Sequence, residues 1–328
     1  MRVYLTGASG FLGSNVARVF AERGAELIRP GHEDVDLVHA DLVRRSVAAT
    51  EPDAIVHAAI WNDPAALLRD RRRAWASYVE ATRHVVDAAN LAGAHVVLVS
   101  TDWVFDGTQG PAPETEPPNP INAYGFLKAA SELVVTERAE RGTVARIAGV
   151  QGVHWGRPQT PRAQDAGFGY LVASLVDALR AGRRFTVWDD PRLNTLATPT
   201  LATDAAELIW RALEAGVTGI LHCCGGEHAD RVGLARRAVA AFGLDEDLLD
   251  TGSPEPDALP DGGVPFDTRL DATVTAAALG VELPDLDTML GRLRAQLEMS
   301  WSEAQPSGYT RPDAEGRHQN AGLDAPRR

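Results

Sequence analysis

At 328 residues with 45% hydrophobic side chains, the chain holds enough apolar material for one large domain or two smaller ones. Its net charge of −13 repels a phosphate backbone, and the basic runs at 71–73 and 183–184 are too short to reverse that, so nucleic acid is excluded as the main partner. The two cysteines, Cys223 and Cys224, are adjacent, which suits neither a structural bridge nor a metal site and reads as core thiols in a reducing compartment. No stretch is apolar and uncharged for long enough to cross a bilayer, and Met1 leads straight into an apolar strand rather than a signal peptide. The expected location is the cytoplasm, with no membrane partner.

In chain order, a strand at Arg2–Thr6 runs through a glycine turn into a helix over Leu12–Arg23. Strands follow at Glu26–Arg29 and Ala54–His57, then an amphipathic segment Ala65–Ala92, a strand His95–Ser100, a helix Ala123–Arg141 and a strand Val144–Ala148. This alternation predicts an α/β fold, a doubly wound parallel sheet of the Rossmann type. The connection Asp106–Asn122 carries Pro111, Pro113, Pro117, Pro118 and Pro120 and is excluded from regular structure. Beyond Val150 the pattern weakens. Gln151–Gly167 is polar and irregular, and helices are expected at Tyr170–Ala181, Thr203–Ala215 and Arg231–Phe242. The expected division is a dinucleotide-binding core over 1–150 and a smaller, discontinuous substrate lobe mainly over 151–301, with some segments returning to the core. Residues 302–328 form a polar tail with too few apolar residues to offset the entropy of ordering.

The first strand–helix junction reads Thr6-Gly7-Ala8-Ser9-Gly10-Phe11-Leu12-Gly13. Glycines at 7 and 10 permit a tight turn and let backbone amides approach a pyrophosphate at the positive end of a helix, while Gly13 lets helix pack on strand. A plain glycine turn has the same composition, but its place at the first junction of an α/β pattern favours dinucleotide binding, with Gly7, Ser9, Gly10, Phe11 and Leu12 at the cofactor. The second strand ends in Arg29, where an NAD-specific protein usually offers a carboxylate to the ribose. Arg29 suits a 2′-phosphate and favours NADP(H) over NAD(H), although Asp36 of Asp36-Leu37 remains placed to approach the adenosine.

Tyr124 and Lys128 stand four residues apart on one face of a predicted helix. A fixed cation beside a phenol stabilises the phenolate and lowers its pKa, which fits Tyr124 to trade a proton with a carbonyl oxygen. Thr101, after the strand ending at Ser100, supplies a hydroxyl for the same oxygen at the carboxyl edge of the sheet. An ordinary surface pair has this spacing too, but among 32 basic residues Lys128 is the single lysine. A chain that uses arginine everywhere else has placed a compact ammonium where a wide, forked guanidinium does not fit.

The glycine turn, Ser100-Thr101-Asp102-Trp103-Val104-Phe105-Asp106-Gly107 and the segment Pro120–Lys128 resemble the extended short-chain dehydrogenase/reductases. Within them the dTDP-4-dehydrorhamnose reductase branch is the most similar, over about Met1 to Leu297, with Asp189-Asp190 and Thr198-Pro199-Thr200 resembling later motifs. The resemblance implies NAD(P)H-dependent reduction of the 4-keto group of a nucleotide-linked deoxysugar, with Tyr124 as proton donor, Lys128 as partner of ribose and phenol, and Thr101 orienting the carbonyl. It implies that Asp36, Leu37, Ala58, Ala59 and Ile60 line the cofactor and that Asp102 faces the substrate, a loop-capping role for Asp102 being equally open. Family members often pair as homodimers. Two positions depart from the family pattern. Tyr78 stands where a helix motif has asparagine, and Gly149 where a tryptophan covers the sugar, with Trp155 a substitute or a core residue.

These departures leave open reduction of a different ketone, aldehyde or imine. A non-catalytic, NADP-binding regulatory subunit also stays open, through a resemblance to the regulatory β-subunit of methionine adenosyltransferase. His57, His154 and His222 are scattered and read as packing or surface residues, and no spacing predicts a metal site.

Overall fold

The computed structural model describes residues 1–157, 163–255, 258–259 and 262–299. The first half winds through β1 (Arg2–Thr6), α1 (Phe11–Glu22), β2 (Glu26–Ile28), α2 (Ala40–Thr50) and β3 (Ala54–His57). Next come α3 (Pro64–Arg69), α4 (Arg71–Trp75), a π-helical turn (Ala76–Glu80) and α5 (Ala81–Ala92), where one helix is expected from periodicity. The break falls at Asp70, which leaves the helical backbone at φ −124° and caps α4 by accepting the Arg73 amide at 3.0 Å. β4 (His95–Thr101), a 3-10 turn (Asp102–Val104), α6 (Ala123–Arg138) and β5 (Gly142–Ile147) follow. Periodicity did not foresee α2, which buries only Val43 and Val47 and so shows a weak apolar stripe.

The second half comprises β6 (Val150–Gln151), α7 (Leu171–Arg180), β7 (Phe185–Trp188), β8 (Leu196–Ala197), β9 (Thr200–Leu201), α8 (Ala202–Ala215), β10 (Gly219–His222), β11 (Ala229–Asp230), α9 (Arg231–Phe242), β12 (Leu249–Gly252), α10 (Thr273–Leu279) and α11 (Leu286–Glu298). The expected helices match α7, α8 and α9, whereas β10, α10 and α11 were not expected. The 302–328 tail lies outside the described residues.

Among the described residues six parallel strands form the main sheet in the order β10-β5-β4-β3-β1-β2. This is the doubly wound Rossmann arrangement. The winding reverses between β1 and β3, which opens a crevice beyond their carboxyl ends. Successive residues of each strand feed opposite faces. Val3, Leu5, Val97 and Val99 pack with Val16 and Phe20 of α1 and Ile209 and Trp210 of α8. Tyr4, Ile55, Val96 and Leu98 pack with Val43 and Val47 of α2 and Val85 and Ala89 of α5. A separate core joins Leu175, Leu234, Val239, Leu290 and Leu293 from α7, α9 and α11.

Gly7, at φ +71°, turns the chain so sharply that a Cβ on Gly13 would lie 2.0 Å from the Gly7 carbonyl oxygen. Gly13→Ala is expected to lower the free energy of unfolding by about 3 kcal/mol, the cost of forcing a methyl against fixed backbone. Gly291→Ala, whose Cβ in α11 meets nothing within 4 Å, is expected to raise it by about 0.5 kcal/mol. Urea unfolding of the two variants beside the parent checks both signs.

Candidate active site

The glycine turn closes over the β1–β3 crevice. Gly10 N donates to Gly7 O at 2.9 Å, and Gly10 caps α1 with its backbone alone, without a side-chain hydrogen bond or an acidic residue in the first turn. A Cβ on Gly7 would come within 2.6 Å of Ala59 N and 2.7 Å of Ala58 C, so the backbone after β3 rests directly on the turn. That contact is pinned by Ala59 N donating to Thr6 Oγ1 at 3.3 Å. A diphosphate fits this cradle, since the α1 amides carry partial positive charge and no carboxylate competes there. Phe11 opens α1 with its ring 4.6 Å from that of Tyr170, Leu12 packs on the main core, and Ser9 is exposed. Ile60, 39% exposed, lies just beyond Ala59.

Arg29 follows β2 at the same edge of the sheet. Asp36 is engaged with its own turn, accepting the Val38 amide at 3.2 Å and lying 3.7 Å from His39 Nε2. Leu37 offers its carbonyl to His84 Nδ1 at 2.9 Å.

Thr101 ends β4, and Tyr124 and Lys128 come from the first turns of α6, so the trio gathers where the strand stops. Asn122 caps α6 by accepting the Gly125 amide at 2.8 Å. Gly125 is required at the next step, because a Cβ there would lie 2.1 Å from the Trp103 carbonyl oxygen. This close approach seats Lys128, only 4% exposed, with Nζ donating to Val99 O at 2.8 Å. Thr101 Oγ1 donates to Asp102 Oδ1 at 3.0 Å and accepts the Trp103 amide at 3.2 Å.

Burial dominates the electrostatics. It pushes the Tyr124 phenol up to about 12, opposed by a hydrogen bond with Thr101 and reinforced by Asp102. It pushes Lys128 down to about 8, opposed by the charge of Glu132. The expected depression of the Tyr124 pKa by Lys128 is therefore not present, since the ammonium spends its hydrogen bond on a backbone carbonyl and both groups are desolvated. Burial lowers His57 to about 3, helped by the Lys128 charge, and its Nδ1 bonds Thr6 Oγ1 at 2.8 Å. Asp102 is 5% exposed and raised to about 6 by burial, against hydrogen bonds from Thr268, Thr101 and backbone amides.

An aromatic corner surrounds the phenol. Tyr78 and Trp103 meet the Tyr124 ring edge-on at 6.3 and 6.2 Å. Tyr78, from the π-helical turn, donates its hydroxyl to Trp61 O at 3.1 Å, and its ring lies 5.8 Å from Lys128 Nζ. Tyr78 therefore stands in a distorted stretch of helix. Gly149 has φ +49°, and a Cβ there would meet Pro199 Cα at 3.2 Å and Phe168 Cβ at 3.3 Å, so a side chain at this position would be strained and crowded. Trp155 is a core residue, 4% exposed, its indole donating to Asn15 Oδ1 at 3.0 Å beneath Arg18 at 4.3 Å.

A model of the RmlD substrate binding domain matches residues 1–299. The chain belongs to this family. The dTDP-4-dehydrorhamnose reductase of Streptomyces griseus is 33% identical over 153 residues, 46% of this chain and 50% of that one. Methionine adenosyltransferase 2 subunit beta of Bos taurus is 28% identical over 255 residues, 74% of this chain and 72% of that one. In structure, dTDP-4-dehydrorhamnose reductase from Bacillus anthracis in complex with NADP superposes with a TM-score of 0.75 at 21% identity, covering 89% of this chain and 98% of that one. UDP-glucose 4-epimerase of Thermotoga maritima, with UDP-glucose, gives a TM-score of 0.72 at 20% identity, with coverages of 90% and 98%. At these identities the structural likenesses establish the fold.

Sequence reasoning missed Trp103 and Thr268, and it left His57 open between packing and surface roles, of which the structure takes the buried one. The polar last residue of the apolar run Ala54–His57 was a signal for its burial, whereas no spacing links Thr268 to Asp102 across 165 intervening positions.

Asp102 gives the site a pH signature. Its folded pKa of about 6 exceeds the ordinary 3.8, so the folded state holds the extra proton between those values and stability falls as pH rises through that window. The parent is expected to lose about 2 kcal/mol relative to Asp102→Asn between pH 4 and pH 7, because the unfolded carboxyl is already more than half ionised at pH 4. Paired urea titrations at the two pH values check this.

Proposed function

We propose that the protein is an NAD(P)H-dependent reductase of a carbonyl group, acting on the 4-keto group of a nucleotide-linked deoxysugar. The observation that carries this is the convergence of Thr101, Tyr124 and Lys128 at the carboxyl end of β4, beside a glycine cradle fitted to a diphosphate. Membership of a family with dTDP-4-dehydrorhamnose reductase relatives supports the substrate class.

In this reading Gly7, Ser9, Gly10, Phe11 and Leu12 hold the dinucleotide's diphosphate, Ala58, Ala59 and Ile60 flank it, and Asp36 and Leu37 border the adenosine. Arg29 takes a 2′-phosphate, which favours NADP(H) over NAD(H). The bound nicotinamide supplies the hydride. Lys128 would hold the nicotinamide ribose, one helical turn from Tyr124 on the same face of α6. Thr101 holds the substrate carbonyl oxygen, and Tyr124, whose high pKa keeps it protonated at neutral pH, gives that oxygen its proton. Asp102 holds Thr101 by accepting its hydroxyl, and the rings of Trp103 and Tyr78 pack edge-on against the phenol. The protein works in the cytoplasm on a small-molecule substrate, as a monomer or a homodimer.

Tyr124→Phe is expected to reduce kcat for NADPH-dependent reduction of dTDP-4-keto-6-deoxysugars by about 10²–10⁴-fold, the contribution of a positioned proton donor. Because Lys128 loses its charge above about 8, the parent's reduction rate is expected to fall as pH rises through that value. Nicotinamide absorbance followed from pH 6 to 10 measures both. Arg29→Ala is expected to raise KM for NADPH about tenfold or more and leave KM for NADH within about twofold, the loss of one phosphate ion pair. Equal effects on the two cofactors would remove the NADP preference.

The match to methionine adenosyltransferase 2 subunit beta over 74% of the chain favours a second reading, a cofactor-binding regulatory subunit. Tight NADPH binding without turnover of any sugar, ketone, aldehyde or imine, together with altered kinetics of an added methionine adenosyltransferase, distinguishes it.

A further inference from the structure

One helical turn beyond Lys128, Glu132 is buried at 3% exposure. Its Oε1 accepts from Ser100 Oγ at 2.5 Å and from Arg146 Nε at 3.0 Å, and its Oε2 accepts from Arg146 Nη2 at 2.8 Å. Arg146, on β5, is fully buried, with its guanidinium 5.0 Å from the Phe105 ring and Nη1 reaching His222 Nε2 at 3.4 Å. A guanidinium only donates, so His222 accepts at Nε2 and donates its Nδ1–H to the Asp271 carbonyl at 2.8 Å. His222 is thereby fixed as the neutral ring, in keeping with its burial, which lowers it to about 4.

Charge along this chain is unequal. Arg146 and Glu132 neutralise each other, but Glu132 also lies one turn from Lys128 on the same face of α6, so one carboxylate serves two cations. Its other partner, Ser100, is the residue before Thr101. Glu132 from α6, His57 from β3 and Tyr78 from the π-helical turn interact with Lys128, and Tyr124 stands one turn before it on the same face of α6. Of these, His57 and both phenols are neutral at pH 7, which leaves Glu132 as the anion among them.

We infer that Glu132 is a positioning residue for the Tyr124–Lys128 pair: clamped by Ser100 and Arg146, it fixes α6 on the end of β4 and supplies the counter-charge of the buried Lys128 ammonium. Its meaning for turnover rests on the reductase reading, while its effect on Lys128 is a property of the chain alone. A pair that served folding only would leave Lys128 unaffected when both of its charges are removed together.

Lys128 is the chain's single lysine, so protein grown with ¹³C-labelled lysine gives one side-chain signal whose titration reports this ammonium without substrate or cofactor. Glu132→Gln is expected to lower the midpoint by about one pH unit or more, the usual effect of losing an opposite charge at close range, and Glu132→Asp to recover at least about half of that. The alkaline limb of the reduction rate moves down with it, while KM stays within about twofold. A folded Glu132→Gln protein titrating within about 0.3 of the parent overturns the inference. Where that variant does not fold, Glu132→Gln combined with Arg146→Gln is held to the same criterion. A shifted midpoint in a protein that turns over no substrate supports the role of Glu132 and overturns the reductase reading instead.

Discussion

A lysine ammonium buried under the end of a parallel strand is the constraint on which the site depends. Removing such a charge from water costs several kcal/mol, and the protein offsets this with the Val99 carbonyl and the buried Glu132 carboxylate. For Nζ to reach Val99, α6 must begin almost on top of the 3-10 turn after β4. That approach is possible because residue 125 is glycine and because the Asn122 side chain caps the helix there. Helix start, strand end and buried cation therefore form one arrangement, and a change in any of them displaces Thr101, Tyr124 and Lys128 relative to one another.

The same economy of backbone contact governs the other half of the crevice. Gly7, Gly13 and the Ala58-Ala59 step touch without side chains between them, which leaves the first amides of α1 directed into the crevice. The aromatic corner of Tyr78, Trp103 and Tyr124 then lines the space on the far side. Gly149, crowded by Pro199 and Phe168, contributes no ring, so the aromatic surface near the phenol comes from the 3-10 turn and the π-helical turn.

A scaffold of this kind serves proteins with different roles, and both a reductase and a subunit of another enzyme appear among its relatives. Thr101, Tyr124 and Lys128 bear on the choice between these readings. Here they are gathered around one strand end, with a neutral His57 behind the lysine and a buried charge network beneath it.

The sequence by itself determined the parallel sheet, the glycine turn and the Tyr124–Lys128 helix, because each rests on local rules: strand and helix periodicity, glycine's freedom at positive φ, and the four-residue repeat of a helix face. Lys128's standing as the single lysine was legible in the same way. Tertiary structure alone decided that residues 202–223 return to the first core and add β10 to the sheet, and that the Ala65–Ala92 segment breaks at Asp70. It also decided that Tyr124 sits at about 12 rather than below 10, and that Asp102 meets Thr268. These depend on burial and on contacts between distant segments, and a pKa is set by what surrounds a group in space, which spacing along the chain does not encode.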